Sequence, residues 1–326
     1  MKSLVTVFGG TGFVGAQIVR VLAKRGQRVR VAARNPGRGY RLRMLGDVGQ
    51  IEVVQANIRD PDSVARALDG AEACVNAVAV LYESGNQRFA DLHVEGARTV
   101  ALAAKAAGAS RFVHISALGA DAGSAAKYAR SKAGGEAATR EVLAGAAILR
   151  PSVVFGADDR FFNRFAAMAQ VSPALPLIGG GETRFQPVFV GDVAAAVGQA
   201  LEDPRAAGRA FELGGPTIYT FKALMELLLA QIGRSRLLVP LPFPIARLLG
   251  LAGDLMAAAL PFAPPITSDQ VEMLRADNVV SAGAAGLADL GVAPSALEPI
   301  VPTYLYRYRK GGQYAEMFAA AAARPG

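Results

Sequence analysis

The chain has 326 residues, of which 52% are hydrophobic and 19% charged, and this composition excludes an intrinsically disordered protein. Its formal charge of +8 comes mostly from arginines scattered along the chain, without the basic run interleaved with aromatic side chains that is typical of nucleic-acid binding. We therefore expect no nucleic-acid partner, and a phosphate-bearing cofactor or an anionic membrane surface accounts better for the charge.

The first predicted strand, residues 4–8, runs directly into Gly9-Gly10-Thr11-Gly12-Phe13-Val14-Gly15, and a helix pattern follows over residues 13–25. This order is typical of a dinucleotide-binding turn. Gly9 permits the tight turn, Gly12 lets the backbone approach a pyrophosphate, and Gly15 lets the helix pack closely on the sheet. The phosphates then lie against free N–H groups at a helix N-terminus. The turn predicts cofactor contacts from Gly9, Thr11, Gly12, Phe13, Val14 and Gly15.

The end of the second predicted strand, residues 28–33, indicates which nicotinamide cofactor is bound. NAD-binding proteins often have a carboxylate here that accepts a hydrogen bond from the ribose 2′-hydroxyl, but this chain has Ala33 followed by Arg34. Because a guanidinium can bind a 2′-phosphate through two charge-assisted hydrogen bonds, we predict NADP(H). Arg38, Arg41 and Arg43 could add to the positive electrostatic field around this phosphate, although a solvated basic loop is the simpler interpretation for these three.

Strand patterns continue at residues 51–55, 73–78, 111–115 and 146–149, separated by helical patterns at 61–68, 88–107 and 125–144. This alternation predicts an α/β fold with a doubly wound parallel sheet, whose ligands gather outside the carboxyl ends of the strands. Two pairs of residues at strand ends are predicted to contact the cofactor. Asn57 and Ile58 follow the third strand and are predicted to bracket the adenine. Ala77 and Val78 belong to the fourth strand end, where small residues let the backbone approach the cofactor.

Three candidate catalytic residues follow the fifth strand. Ser116 comes directly after it, and Tyr128 and Lys132 are spaced to share one face of the next helix. A nearby ammonium lowers a tyrosine pKa from about 10, so Tyr128 could exchange a proton with a substrate hydroxyl that Ser116 orients. Lys132 could also hold the nicotinamide ribose. The position of all three predicts contact with the cofactor, whereas turnover depends on geometry and stays open.

No metal site is predicted. His93 falls in a helix pattern and His114 in an apolar strand, and neither has other metal-ligating residues near it at a suitable spacing. Cys74 is the only cysteine, sits among apolar neighbours and is predicted to be buried in a strand. A single cysteine indicates a reducing compartment. We find no signal peptide and no apolar run long enough to span a bilayer, so we expect an intracellular protein.

The pattern changes near residue 150. We predict a nucleotide-binding domain over residues 1–150 and a smaller, interleaved substrate or partner-docking region over residues 151–326, which prolines and a glycine run break into shorter elements. Asp192 is predicted to cap a helix that begins at Gly191, and another amphipathic helix is predicted over residues 220–232.

The segment 237–266 consists largely of Leu, Ala, Pro and Phe, and Arg247 and Asp254 are its only charged residues. Its prolines prevent one continuous helix. Two interpretations remain open for it. It either packs as a cap over the cofactor cleft or presents an apolar surface to a membrane or a partner protein.

Together the glycine turn, Ser116, the Tyr128 to Lys132 spacing and the loop 150–156 resemble the extended and atypical short-chain dehydrogenase/reductase superfamily. A closer resemblance rests on residues 44–50, 132–136, 155–163 and 186–193. These are similar to the nucleotide-binding accessory subunits of respiratory complex I, the alpha subcomplex subunit 9 family of NADH:ubiquinone oxidoreductase. The resemblance covers residue 3 to about residue 275.

This resemblance implies a tightly held NADPH that stabilises the fold outside the electron path, with Pro151 and Val153 among its contacts. It also implies complex I subunits as partners, contact with a membrane surface, and proximity to a quinone or lipid. The family has bacterial members, and the absence of a transit peptide suits one of these, at the cytoplasmic face of the inner membrane. The alternative is a free-standing NADP-dependent reductase or epimerase that uses Ser116, Tyr128 and Lys132; a nucleotide-sensing regulator is a weaker third possibility.

Overall fold

The computed structural model describes residues 3–259 and 264–312, in which strands and helices alternate along the first half of the chain. The strands are β1 (Leu4–Phe8), β2 (Arg28–Ala33), β3 (Ile51–Gln55), β4 (Ala73–Asn76), β5 (Arg111–Ile115), β6 (Ala147–Pro151), β7 (Val154–Phe155), β8 (Ala174–Ile178), β9 (Arg184–Phe185), β10 (Val188–Phe189), β11 (Ala210–Leu213), β12 (Tyr219–Thr220) and β13 (Leu237–Leu241). The α-helices are α1 (Phe13–Lys24), α2 (Pro61–Leu68), α3 (Gly96–Ala106), α4 (Lys127–Val142), α5 (Phe162–Val171), α6 (Val190–Glu202), α7 (Phe221–Ile232), α8 (Phe243–Ala259), α9 (Ser268–Met273) and α10 (Pro302–Leu305). A π-helical turn, Ala90–Glu95, leads into α3.

Seven strands form one parallel sheet in the order β11-β6-β5-β4-β1-β2-β3. The chain starts in the middle with β1, moves outward to β3, and then returns across the sheet through β4, β5 and β6. Because all the strands point the same way, the loops that follow their carboxyl ends meet along one edge. The predicted doubly wound α/β fold is confirmed.

Helices cover both faces of this sheet. Val5 and Val7 of β1 belong to a core that includes Ile18 of α1 and Val197 of α6, whereas Phe8 faces the opposite core, beneath α2 and α3. This division follows from the alternation of side chains along a strand. A separate cluster packs α5, α7 and α10 together, away from the sheet.

All six predicted strands are present, but two of them end at other residues than predicted. β4 ends at Asn76 instead of residue 78, because the Asn76 Oδ1 accepts a hydrogen bond from the N–H of Val78 and turns the chain. β6 continues to Pro151, which pairs with Leu213 of β11. The sequence did not predict β11, although it adds a seventh strand to the sheet.

The predicted capping role of Asp192 is wrong. Helix α6 begins at Val190, and its N-cap position is Phe189, which makes no side-chain capping bond. Asp192 lies within the first turn, and its carboxylate accepts hydrogen bonds from the backbone N–H of Ser295 at 2.6 Å and from the Ser295 hydroxyl at 2.9 Å. The carboxylate therefore fixes a distant segment instead of the helix end.

The apolar segment 237–266 forms β13, which pairs with β8, and then α8; its residues 260–263 lie outside the described part of the chain. Helix α8 packs through small residues. A Cβ on Gly250 would lie 2.7 Å from the backbone of Ser268, and one on Gly253 would lie 1.8 Å from the Ile266 oxygen. Its large side chains face outward, and Leu248, Leu251 and Leu255 are 69%, 53% and 71% exposed.

These exposed leucines argue against the interpretation of α8 as a fully packed apolar cap. Within residues 3–259 and 264–312, no helix combines the length and apolar character needed to cross a bilayer.

Candidate nucleotide-binding site

The turn after β1 has a backbone that requires glycine. Gly9 has a φ of +77°, and a Cβ there would lie 2.7 Å from the Ala77 oxygen. A Cβ on Gly15 would lie 2.2 Å from the Gly9 oxygen, so the helix could not pack this closely with any other residue. Gly12 is the N-cap of α1, and among the described residues no side chain caps this helix end. The first N–H groups of α1 are therefore available to a phosphate.

The first two residues of α1 lie where they were predicted, after the turn. Phe13 is half-buried and packs against the loop after β7, because a Cβ on Gly156 would lie 3.3 Å from the Phe13 Cζ. Val14 is also half-buried and packs against the core beneath α1 and α6. Both side chains hold the turn in place, and their backbone N–H groups belong to the first turn of α1.

A cavity of about 330 Å³ opens beside the glycine turn, lined by Thr11, Arg34, Asn35 and Arg38. Neither guanidinium has an ion-pair or hydrogen-bond partner in the described residues, and no carboxylate lines the cavity. The Asn35 Oδ1 accepts the N–H of Gly37 at 3.1 Å and begins the 3₁₀ turn that carries Arg38. Two unpaired guanidiniums next to a dinucleotide turn form a binding site for a phosphate.

The residues predicted at the adenine end lie after β3, at the same sheet edge. The Asn57 Oδ1 accepts the N–H of Arg59 at 3.2 Å, which leaves its amide nitrogen and the second lone pair of the oxygen to bond a base. Ile58 is buried, and a Cβ on Gly96 would lie 2.4 Å from its Cδ1. Ile58 therefore packs against the start of α3.

Two further predicted contacts follow β4. Ala77 and Val78 are half-buried, and the Ala77 carbonyl touches the glycine turn at Gly9. The structure thus brings the loops after β1 and β4 together, as their sheet positions require. Whether these backbones touch a nucleotide stays a prediction.

Tyr128 is the second residue of α4, and its ring is buried. It packs edge-on against Phe89 at 5.7 Å and His93 at 5.6 Å between ring centroids. Burial raises the pKa of Tyr128 to about 12, so the expectation of a lowered tyrosine pKa is wrong for this arrangement. The hydroxyl has no hydrogen-bond partner in the described residues. A neutral phenol at this place is a hydrogen-bond donor and a poor base.

Lys132 lies one turn further along α4 and is buried. Its Nζ donates to the Ile115 carbonyl at the end of β5, at 2.8 Å. Burial lowers the pKa of Lys132 to about 8, and the carboxylate of Glu136 opposes this effect. The Lys132 ammonium is therefore held at the edge of the sheet, against Ile115, the residue that precedes Ser116.

Ser116 is buried, and its hydroxyl donates to the Glu136 Oε1. The same carboxylate accepts two hydrogen bonds from Arg150, from Nε at 2.9 Å and from Nη2 at 2.7 Å. Arg150 also lies 3.6 Å from the carboxylate of Glu212 in β11. This network joins β5, α4, β6 and β11, and it uses the hydroxyl proton that a catalytic serine would give to a substrate.

His93 forms a chain of hydrogen bonds that reaches the backbone of Tyr128. Its Nε2 accepts the N–H of Val80 at 3.0 Å, so its Nδ1 carries the proton and donates to the Ser131 hydroxyl at 2.8 Å. The Ser131 hydroxyl in turn donates to the Tyr128 carbonyl at 2.7 Å. Burial, followed by the charge of Lys132, lowers the pKa of His93 to about 3, so the ring is neutral. His93 ties the loop after β4 to α4.

Two residues from the C-terminal part of the chain hold the site together. The Asn278 Oδ1 accepts hydrogen bonds from the Ser152 hydroxyl at 2.6 Å and the N–H of Val153 at 3.1 Å. It thereby fixes the loop that begins at Pro151, the end of β6. Asp269 accepts the backbone N–H of Tyr128 at 3.0 Å and that of Lys127, and so caps α4.

Sequence reasoning missed these supporting residues. Glu136 had a signal, because it lies four residues after Lys132 on the same helix and within residues 132–136, which carry part of the family resemblance. Asn278 and Asp269 had none, since they contact residues more than 120 positions away. In the described residues, no three His, Cys, Asp or Glu side chains form a group that could hold a metal ion.

Comparisons with known proteins identify the family of this chain. The model of the NAD dependent epimerase/dehydratase family matches residues 5–214. NADH dehydrogenase [ubiquinone] 1 alpha subcomplex subunit 9 of Arabidopsis thaliana is 38% identical over 94% of this chain and 78% of its own length. The subunit of the same name from Rattus norvegicus is 37% identical over 93% of this chain and 80% of its own length.

Among solved structures, an NADPH-dependent quinone oxidoreductase from Escherichia coli complexed with NADPH superposes with a TM-score of 0.72. It is 20% identical, and the match covers 93% of this chain and 99% of that one. At this identity the likeness shows a shared fold.

The parallel sheet, the glycine turn and the Tyr128 to Lys132 pair define a dinucleotide-binding protein of the short-chain dehydrogenase/reductase type. The match over most of the chain narrows this class. The chain belongs to the NAD dependent epimerase/dehydratase family and, within it, to the alpha subcomplex subunit 9 family of NADH dehydrogenase.

Proposed function

We propose that this chain is an NADP(H)-binding accessory subunit of respiratory complex I, whose nucleotide stabilises the fold near the quinone site. The observation that carries the proposal is the 38% identity to a complex I subunit over 94% of the chain. Other complex I subunits are then its partners. In this proposal the protein is peripheral, at the cytoplasmic face of a bacterial inner membrane.

The choice of NADP(H) is supported by the cavity at Arg34 and Arg38. Both guanidiniums are exposed and unpaired within the described residues, and they lie beside Thr11 of the glycine turn. A 2′-phosphate there would receive charge-assisted hydrogen bonds, whereas the ribose hydroxyl of NAD would meet no carboxylate from the part of the chain that the structure describes.

A structural role for the nucleotide is supported by the neighbourhood of the three candidate catalytic residues. Ser116 gives its proton to Glu136, and the pKa of Tyr128 is raised to about 12. These two features do not favour proton exchange with a substrate at neutral pH. The alternative of a free-standing reductase or epimerase is therefore less favoured than the subunit role.

Membrane contact is supported by α8. Its exposed leucines form an apolar surface on a protein whose described helices do not cross a bilayer. Such a surface is typical of a site for a protein partner or a membrane. In this proposal α8 lies at the membrane surface, close to quinone or lipid.

The test is to tag the chain in its native host, solubilise the membranes gently and identify what copurifies. We expect complex I subunits by mass spectrometry and NADPH, in place of NADH, by chromatography of the extracted nucleotide. Adding quinone to the purified material should not consume this NADPH. A chain that never sediments with membranes would contradict the proposal, and so would NADPH consumption that is lost in Tyr128→Phe.

A further inference from the structure

Another cavity, of about 530 Å³, lies between the segment that follows β4 and the helices α8 and α9. A hydrogen bond joins its two walls, from the Ser84 hydroxyl to the Ala257 carbonyl at 3.2 Å. One wall carries Phe89, whose ring packs against Tyr128. The cavity therefore borders the candidate nucleotide site at Phe89 and at Asp269, which caps α4.

Both signs of charge line this cavity. Arg88 and Lys127 supply two cations, and both side chains are exposed and have no hydrogen-bond or ion-pair partner in the described residues. They can bind a phosphate without giving up any existing contact.

Three carboxylates line the same cavity and are held in place by hydrogen bonds. The Glu83 Oε1 accepts the N–H of Phe89 at 2.9 Å, Asp254 accepts the N–H of Ser268 at 3.2 Å, and Asp269 caps α4. The second carboxylate oxygen of Glu83 has no partner in the described residues. A purely anionic ligand would meet these negative charges, whereas a zwitterion that carries a phosphate and an ammonium complements both sets.

An exposed apolar stripe leads away from the cavity along α8. Ala258 lies at the cavity wall, and Leu255, Leu251 and Leu248 follow on the same face at helical spacing. All three leucines are more than half exposed. Ten residues of helix give this stripe a length of about 15 Å. A polar cavity continued by an apolar stripe matches a molecule with a polar head and an apolar tail.

We propose that this cavity binds the headgroup of one phospholipid that carries a phosphate and a primary ammonium, as phosphatidylethanolamine does, with an acyl chain along the α8 stripe. Arg88 and Lys127 bind the phosphate, and Glu83 and Asp254 face the ammonium. The inference rests on the proposed function only in the contact of α8 with a membrane, and it does not depend on which nucleotide is bound.

The test is calorimetric titration of the purified full-length protein with dihexanoyl-phosphatidylethanolamine below its critical micelle concentration. We expect one site per chain and at least about tenfold weaker binding in the double variant Arg88→Ala with Lys127→Ala. The matched control is Arg20→Ala with Lys24→Ala, which removes the same two exposed residue types from α1. Equal affinities in wild type and the cavity variant, or equal losses in both variants, would overturn the proposal.

Two further comparisons separate the head from the tail. Glycerophosphoethanolamine, which has the headgroup without acyl chains, should bind at least about tenfold more weakly than the lipid. The double variant Leu251→Gln with Leu255→Gln should weaken the binding of the lipid and leave the binding of glycerophosphoethanolamine unchanged. Glu83→Gln keeps the hydrogen bond to Phe89 but removes the charge, so it should reduce the preference for phosphatidylethanolamine over phosphatidylglycerol.

Headgroup binding as tight as lipid binding would identify a site for a soluble phosphate compound and would refute the lipid site. A wild-type preference for phosphatidylglycerol would refute the zwitterion. Since NADPH affinity is measured on the same samples, failure of the lipid site is distinguishable from failure of nucleotide binding.

Discussion

The hydroxyl of Ser116 donates to Glu136, a buried carboxylate that also binds Arg150 with two hydrogen bonds. A serine in this position was predicted to orient a substrate. Instead, the Ser116 hydroxyl donates to a group inside the protein, because the Glu136 carboxylate, one turn after Lys132 on α4, lies within hydrogen-bond distance. The same contact therefore affects both the stability of the sheet and the chemistry of the site.

Replacing this carboxylate should destabilise the protein. Glu136→Gln removes the charge that binds Arg150, and hydrogen bonds to charged groups contribute about 1.5–3 kcal/mol, so we expect a loss of that size in the free energy of unfolding. Urea denaturation at pH 7 measures it. The control is Glu141→Gln on the same helix, whose ion pair with Arg98 is exposed and should contribute less than about 1 kcal/mol. Equal losses would show that the buried network has no special role.

Arg34→Ala should weaken NADPH binding and leave NADH binding nearly unchanged. Losing a charge-assisted phosphate contact costs roughly 1.5–3 kcal/mol, which is about 10- to 150-fold in affinity. Fluorescence titration with both nucleotides measures the effect. Arg41→Ala is the matched control, since Arg41 is also exposed but does not line the cavity. Equal weakening of both nucleotides by Arg34→Ala would refute the assignment of the 2′-phosphate site.

Asn278→Ala should weaken the binding of NADPH and of NADH equally, in contrast to Arg34→Ala. Asn278 holds Ser152 and Val153, which follow β6 far from the Arg34 cavity in the sheet order. Loosening this loop affects a part of the site that does not read the 2′-phosphate. Asn278→Asp keeps the accepting oxygen and should restore most of the affinity. A loss confined to NADPH would contradict this division of the site.

Tyr128→Phe should change the free energy of unfolding by less than about 0.5 kcal/mol. The Tyr128 hydroxyl has no partner in the described residues, and the packing of the ring against Phe89 and His93 is kept by phenylalanine. Tyr128→Ala removes that packing and should cost about 3–5 kcal/mol. Thermal and urea denaturation of the two variants provide the comparison. A large loss in the phenylalanine variant would reveal a structural hydrogen bond of the hydroxyl.

Stability should fall as the pH drops below about 6.5. The folded protein keeps His93 neutral with a pKa lowered to about 3, whereas in the unfolded chain this histidine binds a proton near the ordinary histidine pKa of about 6.5. The stabilising contribution is therefore present above pH 6.5 and is lost progressively between pH 6.5 and 3, by about 1.4 kcal/mol per pH unit. Unfolding curves at pH 7, 6 and 5 test this against His93→Gln, which should show a shallower slope. Parallel slopes would mean that His93 titrates alike in both states.

The parts of the site that sequence could predict are those in which neighbouring residues determine the geometry. The glycine turn, with Gly9 and Gly15, is a local feature between a strand and a helix, and the Tyr128 to Lys132 pair follows from helical spacing. Arg34 follows from the position of β2. Each of these depends on fewer than about ten consecutive residues.

The rest depends on contacts that no local pattern contains. Asp269 caps a helix that begins 142 residues earlier, and Asn278 binds a loop 125 residues away. The error over Tyr128 has the same origin, because its pKa is set by burial against Phe89 and His93 and could not be read from its distance to Lys132. Asp192 fits a helix cap by sequence and binds Ser295 only once the chain has folded back.

The position of β11 in the sequence affects how the sheet assembles during synthesis. β11 borders β6 in the finished sheet, yet it is separated from it by residues 152–209. During synthesis, β6 leaves the ribosome with an open edge that stays available to other polypeptides until residue 213 has emerged. A nascent fragment that ends near residue 150 therefore exposes a sheet edge prone to aggregation, and chaperone protection over this interval would favour correct assembly.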